Sequence, residues 1–303
     1  MTRNDVTQDD RCSLTLAGIR FSLLGAIDAA ALAPSFKPFL NRVDAADLYC
    51  TVSGLKPDQR LNAISEAPDE DWSFSRPQGR YQVIRRDRQG QAVWQISGDA
   101  GFEAATVRWH PSRFIELYGS FERTLSQGIG HMLLTLRLLA HGGLLTHGMA
   151  AELDGQGVLC LGISGRGKST LSRLLDAAGA VVLTDERPVL RQWPPEPRGE
   201  GTAFRVYGTP WPSSAGFARN AWAPLKRIYF LEHGDRNTFT PLKPSEVIRR
   251  MIPVTMAPWQ APEYLEPVFK TLEALVAHVP CVALAFRPDA SAVDDIRRDL
   301  GGG

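Results

Sequence analysis

Cysteine is scarce in this chain and never clustered. Cys12, Cys50, Cys160 and Cys281 are scattered over 303 residues, with no C-x-x-C and no Cys/His group. That argues against a zinc site and fits a reducing compartment. An excess of one charge is also missing. The 34 Lys and Arg against 33 Asp and Glu leave a net charge of +1, so composition gives no reason to expect a nucleic-acid or membrane-surface partner. No apolar run reaches the roughly 18 residues that would span a membrane; Met132 to Leu145 is broken by Arg137 and His141. The first ten residues are polar and contain no apolar core of a secretory signal, so the chain reads as cytoplasmic. There is no internal repeat and no long low-complexity tract. Apolar content of 44% and charged content of 22% are those of an ordinary globular protein, long enough for two domains or one large one.

What is present is a phosphate-binding signature. Gly162-Ile163-Ser164-Gly165-Arg166-Gly167-Lys168-Ser169 fits G-x-x-x-x-G-K-[ST]. Its glycines let backbone N–H groups turn inward around phosphate oxygens, Lys168 reaches the β- and γ-phosphates, and the Ser169 hydroxyl suits Mg²⁺. Thr170 continues the ligand-binding run into the next helix. The flanks are those the motif requires. Val158 to Leu161 is an apolar strand candidate, and Thr170 to Leu175 carries apolar residues at helical spacing. Cys160 lies in that strand and reads as a small packed hydrophobe.

The chain has two textures. Residues 1–120 read as a smaller, mixed domain with β character, including a hairpin of Tyr81–Arg86 and Ala92–Ile96 around a polar, glycine-containing connection. Ala105–Trp109 suggests a further strand. Arg85, Arg86 and Arg88 read as a solvated hairpin or, less simply, a cradle for an acidic peptide. Residues 121–303 alternate helix and strand patterns and predict an α/β domain. The periodicity predicts one helix over Phe121–Ala140, then a strand over Leu144–Ala151 and a turn at Asp154–Gly157. After the glycine loop come a helix stopped by Gly179, a buried strand Ala180–Leu183 and a Pro/Gly-rich loop over Arg191–Gly201. A strand at Arg227–Glu232, helices at Ser245–Met251 and Tyr264–Ala277, a strand at Cys281–Phe286 and a helix at Ser291–Leu300 complete the domain.

Asp185 and Glu186 end the strand after the glycine-loop helix, and strand ends of a parallel α/β sheet face the ligand crevice. One of these acids suits Mg²⁺ and the other suits acceptance of a proton from an attacking hydroxyl, with alternation along the strand separating them. The plainer alternative is a solvated acidic loop end. His147 lies fifteen residues before Gly162; a hairpin between its strand and the loop strand would return it to the phosphates. Alone, a histidine in an apolar stretch is usually packed or capping.

Thr146-His147-Gly148, the loop Gly162–Ser169 and Leu183-Thr184-Asp185-Glu186 together resemble the catalytic domain of HPr kinase/phosphorylase. Tyr207 to Trp211, with Asn220 and Pro224-Leu225, looks more like the divergent HPr-kinase-related proteins, which include lasso-peptide tailoring kinases. The resemblance covers about residues 123–300. It implies a core related to phosphoenolpyruvate carboxykinase and an ATP- and Mg²⁺-dependent kinase acting on a serine of a small protein or peptide. By position, Asp185 would be the general base, Ser169 and Glu186 would hold Mg²⁺, and His147 would lie beside the phosphates. Two departures qualify this. Asp185-Glu186 replaces the Asp-Asp of the bifunctional enzymes, and no Glu-x-Arg-Gly segment follows; Arg205 to Thr209 stands there instead. The second departure argues against phosphorylase activity and against HPr as the acceptor. The hexameric assembly of the bifunctional relatives is not carried over, and a homo-oligomer is left open.

Two other classes stay open. A metabolite kinase or carboxykinase-like enzyme would use the same loop, with Trp211, Arg219 and Arg236 as candidates for an anion pocket. A non-transferring ATPase would use Glu232 at the end of Ile228–Leu231 as its acid.

Overall fold

The computed structural model describes residues 11–25, 27–55, 61, 72–76, 79–125, 128–193 and 204–301. The chain is mixed α/β with two mixed sheets and divides into two compact units. The first comprises residues 1–137 and 258–263, the second residues 138–257 and 264–303. Among the described residues no helix is long and apolar enough to cross a membrane.

The first unit is built on seven strands: β1 (Arg11–Leu16), β2 (Ile19–Leu24), β3 (Leu48–Gly54), β4 (Trp72–Ser75), β5 (Tyr81–Arg86), β6 (Ala92–Gly98) and β7 (Ala104–Trp109). Their order is β1-β2-β3-β7-β6-β5-β4. The hairpin predicted at 81–96 is β5–β6, and the strand predicted at 105–109 is β7. Alternation buries one face, including Leu14, Ile19, Leu48, Val83 and Trp94, and Ile84 is buried on the opposite face. Arg86 of the basic cluster is buried and donates from Nη1 to the Gly90 carbonyl at 3.1 Å, whereas Arg88 is exposed. Helices α1 (Pro111–Tyr118) and α2 (Phe121–Leu125) follow, and α3 (Ile129–Leu139) leads into the second unit. The single helix expected over 121–140 is thus two, with residues 126–127 outside the described set.

In the second unit the strands are β8 (Gly143–Thr146), β9 (Gly148–Leu153), β10 (Gln156–Leu161), β11 (Val181–Thr184), β12 (Val189–Gln192), β13 (Phe204–Tyr207), β14 (Trp222–His233), β15 (Thr238–Pro241), β16 (Thr255–Met256) and β17 (Cys281–Phe286). The helices are α4 (Lys168–Ala177), α5 (Pro244–Met251), α6 (Leu265–His278) and α7 (Ser291–Gly301). The main path runs β11-β9-β10-β14-β13-β12-β8-β16, with β17 on β14 and β15 on β17. The twelve-residue β14 serves two neighbours in succession: Trp222–Pro224 pair antiparallel with β13, and residues from Leu225 onward pair parallel with β10.

This sheet is mixed, not the parallel one assumed for the strand-end argument. The cause is the turn at Asp154 (φ 51°) and Gly155 (φ 80°), both left-handed as a tight primed hairpin requires. So short a turn forces β9 antiparallel to β10. The strand expected over 144–151 is also two strands. It breaks at His147, so that β8 pairs with β12 and β16 while β9 pairs with β10 and β11. Arg191 and Gln192, expected in a loop, close β12; residues 194–201 of that expected loop lie outside the described set.

Helices α4 and α7 cover one face of β11-β9-β10-β14-β17. The shared core holds Met149, Val158, Cys160, Leu171, Leu175, Val182, Tyr229, Leu284, Val293 and Ile296. Cys160 packs there as a small hydrophobe, and burial pushes its thiol pKa up. All four cysteines are buried free thiols.

Candidate functional site

Three chain segments meet at one edge of the second unit's sheet. β10 runs into Gly162, β11 runs into Asp185 and Glu186, and β9 starts just after His147. Because β9 lies between β10 and β11 and is antiparallel to both, its beginning coincides with their ends. Gly148 stands opposite Leu161, and its N–H donates to the Glu186 carbonyl at 3.1 Å. His147 is fixed from the other side, its N–H donating to the Val254 carbonyl at 2.6 Å.

The glycine loop turns through Gly165 (φ 83°) and Gly167 (φ 85°). Gly167 has a second reason to lack a side chain, since a Cβ there would stand 2.8 Å from Phe286 Cζ. It is the N-cap of α4 and supplies no side-chain cap, and a helix start of this kind suits an anion. Lys168 is buried, and its Nζ donates to the Gly162 carbonyl at 2.7 Å and the Ile163 carbonyl at 3.2 Å. Burial lowers its pKa and nearby Arg187 adds to this, against the opposing pull of Glu186.

A cavity of about 500 Å³ opens here, lined by His147, Ser164, Gly165, Gly167, Lys168, Ser169, Thr170, Glu186 and Ser213. Eight of these nine were candidates from sequence alone. His147 Nε2 lies 3.4 Å from Glu186 Oε1, and Arg187 Nη2 lies 3.7 Å from the same oxygen. The hydrogen bond from His147 lowers the Glu186 pKa, with the charges of His147, Arg187 and Lys168 adding to it and burial opposing it. Glu186 therefore presents an ionised carboxylate to the cavity at neutral pH.

Gly162, Ile163 and Arg166 face a second cavity of about 380 Å³, shared with Phe230, Glu232, Arg249 and Arg250. The glycine loop thus borders two cavities. Ile163 is 55% exposed at this edge. Glu232 is bound to Arg250 at 2.6 Å. Trp211 is buried, Arg219 and Arg236 are exposed, and none of the three lines either cavity.

Asp185 lines neither cavity. It is 0% exposed, and its two oxygens accept from the Ser213 N–H and the Ala215 N–H, each at 2.9 Å. The side-chain alternation expected at this strand end is present, with Glu186 facing the cavity and Asp185 facing a loop. That loop connects β13 to β14 and returns along β11, with Thr184 bridged to Ala218 and the Arg219 N–H donating to the Leu183 carbonyl at 2.8 Å. Ser213 and Arg187 were not singled out from sequence. The turn-like composition Pro212-Ser213-Ser214-Ala215-Gly216 marks a loop but does not say where the loop docks.

Among the described residues no three His, Cys, Asp or Glu side chains cluster as a metal cage. No family model matches this chain, and no curated protein matches it; the functional reading rests on the site's own geometry.

Proposed function

We propose that the second unit is a P-loop kinase domain that transfers the γ-phosphoryl group of ATP to a serine of a small protein or peptide. The observation that carries this is the convergence of the glycine-loop amides, Lys168, Ser169, Glu186 and His147 on one cavity. Loop amides and the α4 N-terminus suit a polyphosphate. Lys168 donates at present to neutral carbonyls, and anionic phosphate oxygens are stronger, charge-assisted acceptors that would draw it over. Ser169 and Glu186 are the residues that would hold Mg²⁺. A site with one carboxylate and no protein cage fits this ion, which keeps several waters and leans on substrate phosphates. When bound, it supplies neutralisation of phosphate charge.

His147 holds Glu186 ionised and oriented. Asp185, which the resemblance would make the base, receives an external hydroxyl only after the 213–215 turn gives way, because that turn occupies both its oxygens. The second cavity supports a polypeptide acceptor. Its lining combines the apolar Leu161, Phe230 and Val254 with the basic Arg166 and Arg249, which suit apolar and acidic side chains flanking a serine.

The test is calorimetric nucleotide binding together with a radiolabelled γ-phosphate transfer assay on the full chain, offered small proteins and peptides. Label on a serine is expected, and Lys168→Ala should lose on the order of a hundredfold or more in rate. Near-normal turnover by Lys168→Ala would sink the reading. Glu232→Gln should retain transfer, since Glu232 already neutralises Arg250; its loss would favour the ATPase alternative.

A further inference from the structure

The cavity contains one hydroxyl side chain that belongs to neither the glycine loop nor the start of α4. It is Ser213, carried in by the loop between β13 and β14. Nothing in phosphate binding requires it there. Its position is set by Asp185, whose Oδ1 accepts the Ser213 N–H and whose Oδ2 accepts the Ala215 N–H. Three further links hold the loop to the same strand end: Thr209 Oγ1 donates to the Arg187 carbonyl at 2.8 Å, Thr184 bridges Ala218, and the Arg219 N–H donates to the Leu183 carbonyl. The Ser213 hydroxyl makes no hydrogen bond among the described residues, and it is separated from the Asp185-bound nitrogen by only its own short side chain. A serine and a polyphosphate cradle lining one cavity are two of the parts that phosphoryl transfer brings together.

We propose that Ser213 is an internal phosphoryl acceptor, modified by the chain's own nucleotide site. This rests on the kinase reading and names the acceptor that the resting structure already holds in place. In the step, the Ser213 Oγ–phosphorus bond forms as the bond between the γ-phosphorus and the β–γ bridging oxygen of a nucleoside triphosphate breaks. The nucleoside diphosphate leaves, and the hydroxyl proton is released to solvent water, since both Asp185 oxygens are held by the Ser213 and Ala215 N–H groups. The product places a phosphate of about −1.5 to −2 charge beside Asp185 and Glu186. Like-charge repulsion then loosens the 213–215 turn and uncovers Asp185 for an external hydroxyl. Ser213 is therefore both the occupant of the acceptor position and the means of clearing it.

The experiment uses the full-length chain with ATP and Mg²⁺ and no other acceptor, followed by trypsin and mass spectrometry of the Val206–Arg219 peptide. Phosphate on Ser213 of the wild type is expected, with a rate constant independent of protein concentration. Ser214→Ala should keep the label and Ser213→Ala should lose it from this peptide. Calorimetric nucleotide binding and transfer to added peptides are followed in parallel. A protein that binds nucleotide and labels an added peptide but never Ser213 overturns this inference and leaves the kinase reading standing. Label on Ser213 whose rate rises in proportion to protein concentration overturns the internal geometry. A protein that binds no nucleotide overturns both.

Discussion

Asp185→Asn exchanges one atom of a fully buried group and separates two roles for it. The carboxylate accepts from two backbone N–H groups at 2.9 Å each. An asparagine oxygen keeps one of these bonds, but its NH₂ then faces the other N–H, donor to donor. Losing one bond to a charged acceptor costs about 1.5–3 kcal/mol, and leaving a buried N–H unmatched costs about 1–3 kcal/mol. Removing the need to bury a charge offsets part of this. The net loss is on the order of 3 kcal/mol, which for a unit of this size lowers its thermal midpoint by roughly 6–12 °C. Differential scanning calorimetry, read on the transition of the second unit, measures the loss. Amide hydrogen exchange at Ser213 and Ala215 locates it, and both sites should exchange faster in the variant. An unchanged or raised midpoint, with unchanged exchange, would refute the tether. Asp185 would then be a group held strained for catalysis, whose removal commonly stabilises.

Other perturbations probe the site and its support. The folded-state pKa of Glu186 is lowered, so its charge is present above that value and lost as pH falls through it, below the usual carboxylate range. His147→Ala removes the largest cause, and the acid limb of kcat/KM should move to higher pH; a limb that stays put contradicts the pairing. Tyr229 Oη donates to Asp299 Oδ2 at 2.8 Å, and Arg227 holds the same oxygen at 2.7 Å. Tyr229→Phe should cost about 1–2 kcal/mol by urea unfolding, because Asp299 keeps its arginine. Gly208→Ala would press a Cβ into the Arg219 carbonyl and to 2.6 Å from the Leu183 carbonyl. It should detach the loop from β11 and speed tryptic cleavage at Arg219, and unaltered cleavage kinetics would count against that docking.

Local chemistry by itself determined a good part of this protein. The glycine loop was legible because its φ values and its Lys-Ser sequence are local requirements, and so were α4 with its Gly179 stop (φ 86°) and the β5–β6 hairpin. The alternation at Asp185 and Glu186 was equally legible, since neighbouring strand residues point to opposite sides. Tertiary structure decided which acid faced the cavity, because only the long-range return of the 208–219 loop supplies the two amides that claim Asp185. It also decided that the apolar run 144–151 breaks at His147. Both halves are buried, so periodicity carries no mark of the point where the chain leaves one set of partners for another. The pairing of β11 with β9, and the arrival of Ser213 at the phosphate cradle, bring together segments far apart in sequence. Their energetics lie in contacts that no window of residues contains.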